Sequence, residues 1–220
     1  MKKISQENNF IYLFFALILF LFSSALVHQL QTSLLNGIHQ IIVVAVFLIG
    51  VHSLKANRSW LWAVYLMSII LGTLFVSKYF FTNNIFLDYI HLVILLLFFI
   101  GSFMLSYKQI IMSRTIGQNM LIGSIVLYLL LGLIWSMFYL LLLVTFPDAF
   151  HGIISQDWRE NLPRLLYFSF VTLTTLGYGD VTPNGTVTEF FTYTEAIAGV
   201  FYIAIIVSSL VSARLAVLKK

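Results

Sequence analysis

The chain has 220 residues, of which 60% are hydrophobic and only 9% charged, with a net charge of +4 and no cysteine. So little charge cannot cover a soluble domain of this size, since a water-facing surface draws heavily on charged and polar residues, so lipid is the expected surrounding phase. Disulfides and thiolate metal sites are excluded. Lys and Arg sit in short gaps between apolar runs instead of clustering on one polar face, which argues against a nucleic acid partner.

Six apolar runs come near the length of about 20 residues that a helix needs to cross the hydrocarbon. They cover about Phe10 to Leu30, Gly37 to Leu54, Ser59 to Phe81, Phe86 to Tyr107, Met120 to Phe146 and Val187 to Leu215. With the N-terminus in the cytoplasm, the inside segments hold Lys2, Lys3, Lys55, Arg58, Lys108, Arg114, Arg214, Lys219 and Lys220. The outside segments hold Lys78, Arg159 and Arg164, so nine of the 12 basic residues lie inside and three outside. The positive-inside rule selects this orientation and returns the C-terminus to the cytoplasm. For the first run a cleaved signal peptide is an alternative, with Lys2 and Lys3 ahead of the apolar stretch and Ser23-Ser24-Ala25 after it. Apolar character continuing to Leu30 favours a retained helix. No internal repeat of roughly 20–50 residues is evident. The chain changes character near Ile116-Gly117. That divides a four-helix transmembrane domain, residues 1–115, from a second domain, residues 116–220.

Between the fifth and sixth runs lies the longest polar stretch, about Pro147 to Pro163, followed by the apolar and aromatic Arg164 to Leu173. This piece is too short to span. Pro163 suits a first helical turn, where its missing N–H would be unpaired anyway. A re-entrant helix is therefore expected, because other backbone is tolerated at membrane depth only inside protein or beside a watery cavity.

Next comes Thr174-Thr175-Leu176-Gly177-Tyr178-Gly179-Asp180. This segment resembles the selectivity filter of the potassium channel family, Thr-Thr-Val-Gly-Tyr-Gly-Asp, with Leu176 the one difference. The resemblance extends over roughly Met120 to Leu215. It implies an all-α membrane protein of six transmembrane helices with the re-entrant pore helix and filter between helices 5 and 6. It also implies a potassium-selective channel subunit of the plasma membrane that conducts passively, not an enzyme. Potassium is then the permeant ion, no cofactor is needed, and four copies surround one pore. The backbone carbonyls of Thr175, Leu176, Gly177 and Tyr178 would replace the ion's water shell, and the Thr175 hydroxyl would add the innermost ligand. Gly177 and Gly179 permit the unusual dihedrals this needs. Thr174 and Asp180 flank the filter, and the Tyr178 ring is expected to pack against Tyr167 and Phe168. Where some bacterial channels carry a glutamate that pairs with the filter aspartate, this chain has Val171, so Asp180 is expected to lack that partner. Two rivals stay open. One is a non-selective cation channel, against which the intact Gly177-Tyr178-Gly179 argues; the other is a non-conducting regulatory subunit that keeps the pore fold.

Gly199 and Glu195 in the last run are gating candidates. In the family a glycine at the spacing of Gly199 lets the inner helix bend, whereas close helix packing explains it equally well. Glu195, an ionisable group at membrane depth, either tunes gating or senses pH, or forms a structural hydrogen bond to a hydroxyl such as that of Thr172 or Thr174. The fourth run contains no arginine ladder, only Asp88 and His91 besides Tyr89 and Tyr107, so weak voltage dependence is expected. His28, His39, His52, His91 and His151 are scattered without metal-ligand spacing. Trp60 and Trp62 sit at a membrane edge, and Phe98 and Phe99 are packing or lipid-facing residues. Asp148, Asp157 and Glu160 in the outer loop either attract cations or are simply solvated. After Arg214 six residues remain, so gating is expected from the membrane helices, lipid, pH, the filter or a partner.

Overall fold

The computed structural model describes residues 9–30, 33–54, 58–77, 84–112, 118–153 and 157–208. The proposed boundary at Ile116-Gly117 and many of the basic residues used for orientation (Lys2, Lys3, Lys55, Lys78, Arg114, Arg214, Lys219, Lys220) lie outside them. So does the end of the sixth apolar run.

The protein is mostly helical. In chain order the elements are α1 (Asn9–Leu30), α2 (Ser33–Ser53), α3 (Arg58–Ser77), α4 (Ile85–Met112), α5 (Gln118–Thr145), β1 (Phe150–His151), α6 (Trp158–Leu173), β2 (Thr182–Pro183) and α7 (Thr186–Phe201). A π-helical turn, Tyr202–Val207, continues α7. Among the described residues α1, α4 and α5 are long and apolar enough to cross a membrane. In α2 and α3 the apolar stretches are shorter, Gly37–Gly50 and Arg58–Leu74.

The centre of the molecule is α5, which packs against α1, α4, α6 and α7. One hydrophobic cluster runs from Phe10 in α1 through α4 and α5 to Trp158 and Phe168 in α6. Its aromatic middle is built from Phe47 of α2 stacked on Phe98 of α4 at 3.6 Å and Phe20 of α1 beside Phe99 at 6.0 Å. Phe98 and Phe99 are thus packing residues, each 1% exposed. At one end of the bundle an amide cluster joins α1, α4 and α5. Asn9 Nδ2 donates to Gln109 Oε1 at 3.0 Å, and Asn119 Nδ2 donates to Asn9 Oδ1 at 2.7 Å.

Trp60 and Trp62, expected at a membrane edge, lie in the first two turns of α3 and differ in their surroundings. Trp62 is exposed. Trp60 packs into the bundle, its ring filling the space beside Gly101 of α4 that any Cβ there would claim. A glycine in α4 thereby admits the largest side chain of α3 at the contact between the two helices. Gly101→Val is expected to weaken the fold by about 2 kcal/mol through overpacking, lowering the thermal midpoint of detergent-purified protein. The same change in a Trp60→Leu background is expected to cost much less.

Candidate functional site

The first turn of α6 is set by its cap. Asp157 has extended backbone, and its side chain accepts the Arg159 N–H at 3.0 Å. A carboxylate here also meets the positive end of the helix dipole. Trp158, Asn161, Leu162, Leu165, Phe168, Ser169, Thr172 and Leu173 form a buried stripe at helical spacing. The helix therefore begins before the position expected from Pro163, which lies inside it. The cap and the anchored Trp158 outweigh the hydrogen bond that proline removes.

At the other end of α6 the backbone changes character. The Thr174 N–H donates to Phe170 O at 3.1 Å, Thr175 N–H to Thr172 O at 2.9 Å and Leu176 N–H to Val171 O at 2.9 Å, which satisfies the last helical carbonyls. Residues Thr174 to Asp180 are then all exposed. Positive φ recurs at every second position: Thr175 at 59°, Gly177 at 59° and Gly179 at 79°. The glycines were expected to adopt this region. Thr175 was not, and a threonine there carries a strain of about 1–2 kcal/mol. A Cβ at Gly177 or Gly179 would meet nothing within 4 Å in one chain, so backbone conformation, not space, requires glycine.

Side chains around the segment only partly match expectation. Tyr178 stacks parallel to Tyr167, with ring centroids 6.4 Å apart. The Tyr167 hydroxyl donates to Asp180 Oδ1 at 3.0 Å. Asp180 thus has a partner one turn ahead of Val171, where the missing glutamate would be. Phe168 does not join Tyr178; its ring lies 5.1 Å from Tyr139 and 5.4 Å from Phe150. Neighbouring helical residues point about 100° apart, so Tyr167 and Phe168 cannot serve the same face. Beyond Asp180, β2 pairs antiparallel with β1, Phe150 opposite Pro183 and His151 opposite Thr182. The Asn184 N–H donates to Ala149 O and its side-chain amide to Asp148 O, both at 2.8 Å. Gly152, at φ 82°, passes so close to the Asp180 carbonyl that no Cβ would fit. The chain leaving the segment is therefore pinned to the α5–α6 connection.

Behind the segment, Glu195 of α7 is fully buried. Its Oε2 accepts from the Tyr139 hydroxyl of α5, and its Oε1 from the Ser169 hydroxyl of α6, both at 2.5 Å. Ser169 Oγ also lies 2.8 Å from Gly132 O. The expected partners Thr172 and Thr174 are not those found. Ser169 lies on the buried stripe facing α7, whereas the Thr174 hydroxyl turns back to Phe170 O at 2.7 Å. Gly199, one turn further along α7, lies against the end of α6, where a Cβ would collide with the Leu173 carbonyl. That carbonyl accepts from the Tyr128 hydroxyl at 3.1 Å. Tyr128 touches Tyr202, ring centroids 5.2 Å apart, and the Tyr202 hydroxyl donates to Ser124 O of α5. Tyr128, Tyr139 and Ser169 escaped sequence reading, since Tyr139 is 56 residues from Glu195 and no local spacing links them.

Glu195→Ala would leave the Tyr139 hydroxyl buried without its Glu195 acceptor, and Ser169 with only the Gly132 carbonyl, and is expected to cost about 2–3 kcal/mol, read as a lowered thermal midpoint. Glu195→Gln keeps one acceptor oxygen and should recover much of that loss. Tyr167→Phe removes the Asp180 hydrogen bond but keeps the ring against Tyr178. It is expected to leave the thermal midpoint nearly unchanged while speeding proteolysis in the exposed 174–184 stretch, measured by mass spectrometry.

Comparison with known proteins places this region. Residues 123–214 match the family model described as "Ion channel", within the stretch that resembles potassium channels and covering under half of the chain. A stretch of 47 residues is 47% identical to "Two-pore potassium channel 3" of Arabidopsis thaliana. It covers 21% of this chain and 11% of that protein, so only a small part of the relative is represented. No solved structure matches. Together the two matches support a potassium channel family for this chain.

Proposed function

We propose that the protein is the subunit of a potassium-selective channel that conducts passively through a pore shared by four copies, with weak or no voltage gating. The observation that carries this reading is the exposed backbone of Thr175 to Gly179, with positive φ at every second residue. Alternation of this kind turns successive peptide planes so that neighbouring carbonyls can be brought to one side, the arrangement a dehydrated cation needs. The segment follows the C-terminus of α6, the negative end of the helix dipole, which also favours a cation. Carbonyls of Thr175, Leu176, Gly177 and Tyr178 are the proposed ligands, with the Thr175 hydroxyl innermost. Tyr167, Thr174 and Asp180 are their supports.

One segment makes one arc of a ring, and the exposed surface of α7 supports a ring of copies. Val187, Phe190, Tyr193, Ile197, Val200 and Phe201 are all exposed in a single chain. An apolar face this large belongs against another copy or lipid. The proposed membrane arrangement has α1 to α5 and α7 with its π-turn as six spans, α6 as the re-entrant helix and both termini cytoplasmic in the plasma membrane. Residues 1–115 flank the pore unit of residues 116–220. Weak voltage dependence follows from an α4 whose one acidic residue, Asp88, sits in its first turn. Glu195 and Gly199 serve this reading as ties holding α6 in place.

The test is the reversal potential of purified protein in a planar bilayer, with potassium on one side and sodium on the other. Reversal near the potassium equilibrium value is expected, with a shallow conductance–voltage curve. Current that reverses near zero would replace this reading with a non-selective cation channel. Absence of both current and potassium binding would favour the non-conducting subunit.

A further inference from the structure

The first turn of α6 is held by a residue that belongs to the first four helices. Asp88 lies in the first turn of α4. Its Oδ1 accepts two hydrogen bonds from consecutive residues of α6, the Trp158 indole N–H at 2.9 Å and Arg159 Nη2 at 2.9 Å. The three side chains form one unit. The Arg159 guanidinium sits over the Trp158 ring at 4.5 Å, and His91, one turn beyond Asp88, packs against that ring at 5.1 Å. Trp158 is 4% exposed. Next to Asp88, the Tyr89 hydroxyl lies 2.9 Å from Thr145 Oγ1 at the end of α5. The start of α4 therefore grips both the end of α5 and the beginning of α6. The connection between those two helices is about a dozen residues long, so the start of α6 takes its placement from contacts such as these.

Burial alone would hold Trp158 with any acceptor, or none. What requires a carboxylate is the convergence of an indole N–H and a guanidinium on one oxygen, since charge-assisted bonds are stronger and more directional than neutral ones. The buried stripe of α6 runs from Trp158 to Leu173, so a shift of its first turn is passed through that packing toward its last turn. The last turn is where the backbone of Thr174 to Gly179 begins.

We propose that Asp88 is a positioning residue for the filter segment. Through Trp158 and Arg159 it sets the placement of α6, so that the first four helices act on conduction at the start of this helix and not through moving charge. This rests on the reading of Thr175 to Gly179 as a filter. Asp88 touches no permeant ion in this account.

The experiment pairs single-channel recording with amide hydrogen exchange on the full chain in lipid nanodiscs, for wild type, Asp88→Ala, Asp88→Asn, Trp158→Phe and the double variant Asp88→Ala/Trp158→Phe. Asp88→Ala is expected to lower open probability, or speed the decay of current at low external potassium, by about fivefold, the change expected for a partly exposed charged hydrogen bond. Single-channel conductance and reversal potential should stay as in wild type, which a general loss of folded protein would not produce. Asp88→Asn keeps an acceptor for the indole and should fall between the two. The double variant should be little worse than Asp88→Ala, because the two residues act as one unit. Wild-type open probability and decay in Asp88→Ala would overturn the proposal, as would effects of Asp88→Ala and Trp158→Phe that simply add. If the wild type neither passes current nor binds potassium, the filter reading itself fails, and hydrogen exchange then decides the coupling. Faster exchange at 174–180 in Asp88→Ala would uphold it; unchanged exchange there would overturn it.

Discussion

The backbone after Leu173 has left helical pairing, and no β-partner takes up its carbonyls before β2. Such backbone is tolerated inside a membrane protein only where something other than lipid meets it. The rest of the fold can be understood as what holds α6 so that this happens. Three ties do so, the middle one made by polar groups that are fully buried and would be costly to leave unpaired in an apolar interior. At the first turn, Asp88 of α4 takes Trp158 and Arg159. In the middle, Glu195 of α7 and Tyr139 of α5 meet at Ser169 and its surroundings. At the end, Tyr128 of α5 and the close approach of Gly199 fix the Leu173 carbonyl. A short helix with one tie would pivot; with three spread along its length it cannot.

The same account explains the character of the first four helices. A voltage sensor needs charge able to move through the field. Here α4 has polar fastenings at both ends and an aromatic middle. Gln109 is bonded to Asn9 of α1, Asp88 and Tyr89 are bonded to α6 and α5, and Phe98 and Phe99 are locked between α1 and α2. Trp60 of α3 fills the notch at Gly101. Sliding α4 by one turn would unseat all of these together. On the proposed reading, the element at the position of a voltage sensor is built as a strut.

How much of this the amino-acid sequence disclosed depends on the range of the interaction. The apolar runs and the Thr174 to Asp180 segment are local patterns, and the helices and the positive φ at Gly177 and Gly179 follow them. Pro163 misled because a local preference for first turns yielded to a cap six residues earlier and to Trp158 burying against α4. Phe168 was expected beside Tyr178 together with Tyr167, whereas the helical turn sends it to Tyr139 and Phe150. Glu195 was recognisable as a carboxylate with too little water. Its partners were not, because they depend on how α5, α6 and α7 cross. Thr175 at positive φ was hidden for a different reason: threonine adopts that region only when its surroundings impose it.

The distribution of polar and apolar groups on α7 carries the argument one step further. The residues with which α7 buries itself in its own chain are Thr188, Glu195 and Gly199, a polar and small stripe at helical spacing. Phe191 packs beside this stripe on Trp135 and Phe138, whereas Val187, Phe190, Tyr193, Ile197, Val200 and Phe201 are exposed. An ordinary amphipathic helix does the reverse, burying the apolar stripe and exposing the polar one. The inversion is sensible if the interior of the single chain is where hydrogen bonds must be made, to hold α6, and the remaining surface meets apolar neighbours. Tyr178 and Leu176 are exposed on the same terms, 66% and 56% accessible in one chain. On the proposed fourfold reading, each chain completes the support behind its own segment, and its copies supply what stands in front. Specificity for one assembly then comes from the apolar face of α7, while the geometry of the segment comes from ties that each chain makes alone.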